Sequence, residues 1–174
     1  MIIPIVKHAL AVLTIVGIAG ILFFVLSFPF RKTKSVQKIR NYFTRHTTGF
    51  SLTIALIATL GSLFFSEIAG YEPCKLCWFQ RIFMYPMAII LCIALFRKLN
   101  ARPYVLPLAI FGIPIAAYHY GLQVYAKAVP GFSDACSATG VSCVSAHFTY
   151  GFITIPLMAL VAFTLITILM MLKK

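Results

Sequence analysis

Cysteine is the residue type most able to do chemistry in this sequence. Four of the five fall in two short segments, Cys74 with Cys77 and Cys136 with Cys143. Thiols so grouped exchange with disulfides or hold soft metals. Four cysteines allow three pairings. Local pairing, Cys74–Cys77 and Cys136–Cys143, has the lowest loop-closure cost and is the expected resting arrangement. A bond between Cys74 and Cys77 closes too small a ring to tie distant parts of a fold together, so it adds little stability. This favours redox use over a structural staple. Pro73 hands the chain over to a helix, which puts Cys77 in the first turn, where unpaired N–H groups and the helix dipole favour a thiolate. Cys92 differs: it follows Cys77 on the same helix, about 22 Å away at ~1.5 Å per residue. No disulfide spans that distance, and Cys92 reads as a small buried apolar residue.

Arg81 follows Cys77 by four positions and so shares its helical face one turn deeper. A cation just inside an apolar span is a functional candidate by default, set against simple snorkelling to the headgroups. Its forked donors suit a thiolate or an oxyanion developing on an electron acceptor. Gln80 could add a hydrogen bond there. His119 and His147, near the ends of two later spans, read first as satisfied interfacial histidines and second as proton donors. Glu67 reads as an interface residue, and Asp134 as a residue that solvates its loop.

The elements that must position these groups are set by composition. Apolar residues make up 61% of the chain and charged residues only 10%, against about 25% charged in soluble domains. Five nearly uncharged runs account for this: His8–Phe30, Thr47–Ser66, Trp78–Phe96, Pro103–Ala126 and Phe148–Leu172. Each is close to the roughly 20 residues that carry a helix across a bilayer. None alternates with period two, which excludes a barrel. Pro86, Pro107, Pro114 and Pro156 are tolerated as kinks inside such a bundle. The first run lacks a basic n-region and is followed by Arg31-Lys32, so it reads as a retained helix and not a cleaved signal.

The net charge of +12 is topogenic. Arg31, Lys32, Lys34, Lys38, Arg40 and Arg45 lie between the first two runs, Arg97, Lys98 and Arg102 between the third and fourth, and Lys173 and Lys174 at the end. The positive-inside rule makes these segments cytoplasmic and puts the N-terminus and all four segment cysteines outside. No aromatic or helical reading motif accompanies the charge, which argues against nucleic acid as a partner. Val36, Ile39 and Phe43 recur at helical spacing among the cations, which fits a short amphipathic helix at the cytoplasmic interface and equally a solvated basic linker.

The run Pro73-Cys74-Lys75-Leu76-Cys77-Trp78-Phe79-Gln80-Arg81, continued by Met84-Tyr85-Pro86, resembles the signature of the disulfide bond formation protein B (DsbB) family. The run Cys143 to Pro156, ending Gly151-Phe152-Ile153-Thr154-Ile155-Pro156, is similar to its bacillus-type branch. The resemblance covers about Thr47 to Leu172. It implies an all-α integral membrane fold: a four-helix thiol–quinone oxidoreductase domain over residues 47–174, preceded by an extra transmembrane helix and basic segment over 1–46. It implies that Cys136 meets a reduced extracytoplasmic thioredoxin-like (DsbA-like) oxidase as a mixed disulfide. Electrons would then pass to Cys74–Cys77, and Cys77, with Arg81 and Gln80, would deliver them to ubiquinone or menaquinone from the membrane pool. The expected location is a bacterial plasma membrane. Three rivals are weighed, one being a purely structural, disulfide-stapled membrane subunit. A vitamin-K-epoxide-reductase-like protein places its CxxC after the loop pair, the reverse of the order here. A metal-binding membrane protein would use Cys74, Cys77 and His147, with Arg81 repelling the ion.

Overall fold

The computed structural model describes residues 2–27, 29, 33–129, 132, 141–144 and 151–172. The protein is all-α. Helix α1 spans Ile2–Leu26, α2 Lys34–Arg45, α3 Thr47–Leu63, α4 Lys75–Arg97, α5 Arg102–Ala128 and α6 Ile155–Leu172. Five of these are long and apolar enough to cross a membrane, α3 being extended for the purpose by a π-helical turn over Phe64–Ile68. The short α2 is the amphipathic basic segment, with Ile39 and Tyr42 exposed and Phe43 packed edge-on against Phe24.

Helices α3, α4, α5 and α6 form a closed ring in which each packs on the next and α6 returns to α3. Their shared interior holds Ala55, Met84, Met87, Leu91, Val105, Ala109, Phe163 and Ile166. Lipid tails are as apolar as leucine, so helices in a bilayer associate through close packing at small residues more than through water exclusion. Gly112 of α5 is the clearest instance: a Cβ there would overlap the Phe163 ring of α6. Gly112→Ala should therefore cost about 1–3 kcal/mol by overpacking, read as a fall in thermal midpoint in detergent. Gly49→Ala is the control. Nothing lies within 4 Å of a Cβ at Gly49, and alanine there gains up to about 1 kcal/mol of helix propensity.

Helix α1 stands outside the ring. It packs along α6 and approaches α3 far less. Its N-terminal end lies beside the α3–α4 connection, where Lys7 Nζ sits 4.8 Å from the centre of the Tyr71 ring.

Two expected boundaries move. The first helix begins at Ile2 and ends at Leu26, earlier at both ends than the run His8–Phe30. The last begins at Ile155, with residues 151–154 in a turn before it, tied to α5 by the Tyr120 hydroxyl donating to the Phe152 carbonyl at 3.2 Å. Pro156 is thus in the first helical turn and not a mid-span kink. A missing N–H costs nothing in that turn, because the first amides have no helical acceptor.

Candidate active site at the Cys74–Cys77 pair

The connection from α3 to α4 shapes the site. After the π-helical turn Gly70 takes φ +70, a conformation open to glycine at no steric cost. The chain then reverses, and the Tyr71 amide donates to the Phe65 carbonyl at 2.9 Å. Cys74 is the extended N-cap of α4, with φ −69 and ψ 172, and Cys77 is the third residue of the helix. Their sulfurs lie 3.4 Å apart as thiols, with Cys74 Sγ donating to Cys77 Sγ. A small shift of either sulfur would bring the pair to disulfide distance.

The hydrogen bond to Cys77 and burial together push the Cys74 thiol up to about 12. Below that value its thiolate fraction rises about tenfold per pH unit. Alkylation of Cys74 in the reduced protein should thus keep accelerating up to at least about pH 10 with no plateau, followed by mass spectrometry of the modified peptide. Removing the largest cause, by Cys77→Ser, should bring the plateau to lower pH.

His119 is the partner that sequence reasoning undervalued. It is 1% exposed, turned into the bundle and away from the surrounding lipid and water. Its Nε2 lies 3.6 Å from Cys74 Sγ and 3.1 Å from the Cys143 carbonyl oxygen, and its Nδ1 lies 3.0 Å from Gln80 Nε2. With the Gln80 amide donating to Nδ1, the ring proton sits on Nε2 and points at the Cys143 carbonyl. Gln123 also donates to that carbonyl, at 3.5 Å. A signal was available: Gly112, Ala116, His119 and Gln123 make one buried face of α5. A histidine in line with small residues and a glutamine faces a bundle interior, not its rim.

Cys143 is buried, and the ligating atoms of Cys74, His119 and Cys143 all lie within 4.8 Å of one another. The second cysteine segment thus delivers one sulfur directly to the first. Cys136, His147 and Asp134 lie outside the described residues. Cys92 is half-buried against the core. Glu67 is exposed and accepts a hydrogen bond from Ser66 at 3.0 Å.

Arg81 hydrogen-bonds α3 and not Cys77. Its Nε donates to Ser62 Oγ at 2.9 Å and its Nη2 to the Ser62 carbonyl at 3.1 Å, which fastens α4 to α3. Its guanidinium lies 5.2 Å from the Trp78 ring centre. Cys77, Gln80, Arg81 and His119 border one end of a cavity of about 330 Å³ whose remaining walls are mostly apolar. The buried Gln123 Oε1 on the same wall has no hydrogen-bond partner among the described residues. Redox thiols, a cation and an imidazole therefore meet at one end of an apolar chamber inside a membrane bundle.

Residues 44–172 match the sequence profile of the family described as disulfide bond formation protein DsbB. The chain belongs to that family. It is 50% identical over 127 residues to disulfide bond formation protein C of Bacillus subtilis (strain 168), covering 71% of this chain and 89% of that one. It is 44% identical over 123 residues to a probable disulfide formation protein of Metapseudomonas resinovorans, covering 70% and 84%. With a probable disulfide formation protein of Chlamydia pneumoniae it shares 36% identity over 136 residues, covering 77% and 96%. No solved structure matches significantly. As a DsbB-family member with five apolar helices, the protein is a multi-pass membrane oxidoreductase of disulfide bond formation. The match begins at residue 44, so α1 and most of α2 precede it.

Proposed function

We propose that the protein is a thiol–quinone oxidoreductase that reoxidises a thioredoxin-like disulfide oxidase outside the cytoplasm. The observation that carries this reading is the convergence of Cys74, Cys77 and Cys143 at the polar end of the apolar cavity. Arg81, Gln80 and His119 offer donors to carbonyl oxygens, and the apolar walls suit a lipid-soluble ring. When bound there, a quinone supplies a two-electron, two-proton acceptor.

The chain's own residues do the rest by thiol–disulfide exchange. The reduced partner's thiolate attacks Cys136 of the Cys136–Cys143 disulfide, forming a mixed disulfide and releasing Cys143 as thiolate. Cys143 then attacks Cys74 of the Cys74–Cys77 disulfide, which forms Cys74–Cys143 and frees Cys77. The partner's second thiol displaces Cys136 and leaves oxidised. Cys136 in turn displaces Cys74 from Cys143. The electron pair taken from the partner now resides on Cys74 and Cys77 and departs through Cys77 as their disulfide re-forms. His119, against Cys74, is placed to hold or move the proton. Basic segments at the opposite end of the bundle favour a cytoplasmic location there, with the cysteines outside. In this reading residues 47–174 carry the reaction, and 1–46 are an addition to it.

Purified protein in detergent with added quinone should oxidise a reduced thioredoxin-like partner, with quinol appearing in equal amount. Absence of quinol while the partner is oxidised would overturn the assignment. The Cys74–His119–Cys143 group also has ligand types that suit zinc. One tightly held metal ion per chain, without quinone turnover, would favour that second reading.

A further inference from the structure

Helix α1 supplies no group to the relay, but it walls the cavity. Leu10, Leu13, Thr14 and Gly17 line it, one helical face running about 10 Å along the axis. At its upper end Leu10 meets α3 at Gly61, where a Cβ would stand 3.1 Å from Leu10 Cδ1. Gly61 adjoins Ser62, the residue that holds Arg81. At the lower end α1 closes on α6, a Cβ at Gly17 standing 2.7 Å from Val161 Cγ1. Across from this face, Ile54, Ile57 and Ala58 of α3 line the cavity one to two turns below Ser62.

Because α1 packs on α6 and stands off α3, a slot runs down from the level of Arg81 between α1 and α3. Its walls are apolar throughout. Thr14, the one polar side chain α1 contributes, spends its hydroxyl on the Leu10 carbonyl at 2.7 Å. Leu13 and Ile57 at the slot's edge are 47% and 37% exposed, so it opens toward the surrounding lipid. Above it, Lys7 over Tyr71, itself stacked on Phe65, covers the end nearest the thiols.

We infer that the slot between α1 and α3 takes the isoprenoid tail of the lipid-soluble oxidant, making Leu13, Thr14 and Gly17 determinants of tail recognition. This rests on the function proposed above. A slot of this kind, continuous with a donor-bearing chamber, fits a molecule with a polar ring and a long hydrocarbon chain.

The test uses the full chain in detergent and a benzoquinone carrying two isoprenoid units, with the same ring lacking the chain as comparison. Quenching of Trp78, the chain's single tryptophan, gives Kd for each without turnover. Thr14→Phe, which fills the slot, should weaken the tailed quinone about tenfold and leave the tail-less ring within about twofold. Leu13→Ala shortens a half-exposed side chain and is expected to fold normally. It should weaken the tailed quinone by about threefold through lost apolar contact. Unchanged tailed-quinone affinity in both variants would overturn the inference, as would an equal loss for both ligands, which would mean that α1 acts on the ring site or on the fold. Should the wild-type protein bind neither quinone, the proposed function falls and takes this inference with it. Tight tail-less binding with no gain from the tail would refute the inference alone.

Discussion

Cys77→Ser should abolish sustained oxidation of a thioredoxin-like partner, lowering quinone-dependent turnover by at least about a thousandfold, as removal of a covalent nucleophile does. Thiol exchange at the other pair should survive. Pre-oxidised Cys77→Ser protein still carries Cys136–Cys143 and should oxidise one equivalent of partner before stopping. Cys74 then has no resolving partner 3.4 Å away, whereas Cys143 remains near it. With Cys136→Ser added to the variant, mild oxidation should trap a Cys74–Cys143 disulfide, identified by mass spectrometry of the non-reduced peptides. Quinol formation at the wild-type rate would sink the relay. A stoichiometric burst from Cys77→Ser with no Cys74–Cys143 bond in the double variant would disprove the inter-segment step and leave the exit through Cys77 standing.

Why some of this site was legible in the sequence and some was not follows from the range of the interactions involved. Pro73 and the absence of another breaker before Pro86 mark the start of α4, so Cys77 and Arg81 can be placed on one helical face by counting. Hydropathy finds five spans because lipid demands long apolar helices. It does not find their ends: residues 151–154 are apolar enough to join the last span, yet they turn, and Pro156 marks a helix start. Ser62 as the anchor of Arg81 depends on how α3 meets α4, which no local pattern records. Helix α1 buries its small residues Ala11, Thr14 and Gly17, but that stripe does not say which neighbouring helix it meets or that a cavity lies beside it. His119 lay between these cases, with its buried face readable on α5 and its thiol neighbours not.

Arg81→Met should lower kcat/KM for quinone by about a hundredfold while leaving the one-equivalent burst of partner oxidation unchanged. Methionine keeps an unbranched apolar stem, though a shorter one, and removes the charge and donors. A hydrogen bond to a charged group contributes about 1.5–3 kcal/mol, and about 1.4 kcal/mol is a factor of ten. The effect should divide between KM and kcat, since a guanidinium that meets a carbonyl oxygen in the ground state binds it more strongly once negative charge develops. A purely structural Arg81 predicts otherwise. Its two bonds to Ser62 fasten α4 to α3, so their loss alone would lower the thermal midpoint with little change in KM. Ser62→Ala separates the two roles: it removes the hydroxyl acceptor at 2.9 Å but leaves the carbonyl acceptor at 3.1 Å and the cation in place. If Arg81 works on the acceptor, Ser62→Ala should cost only about threefold in kcat/KM, the effect of a less well-aimed guanidinium. Arg81→Lys should fall between, because lysine restores the charge without the fork. Equal losses for Ser62→Ala and Arg81→Met would assign Arg81 to the helix contact, and the polar end of the cavity would then rest on Gln80 and His119.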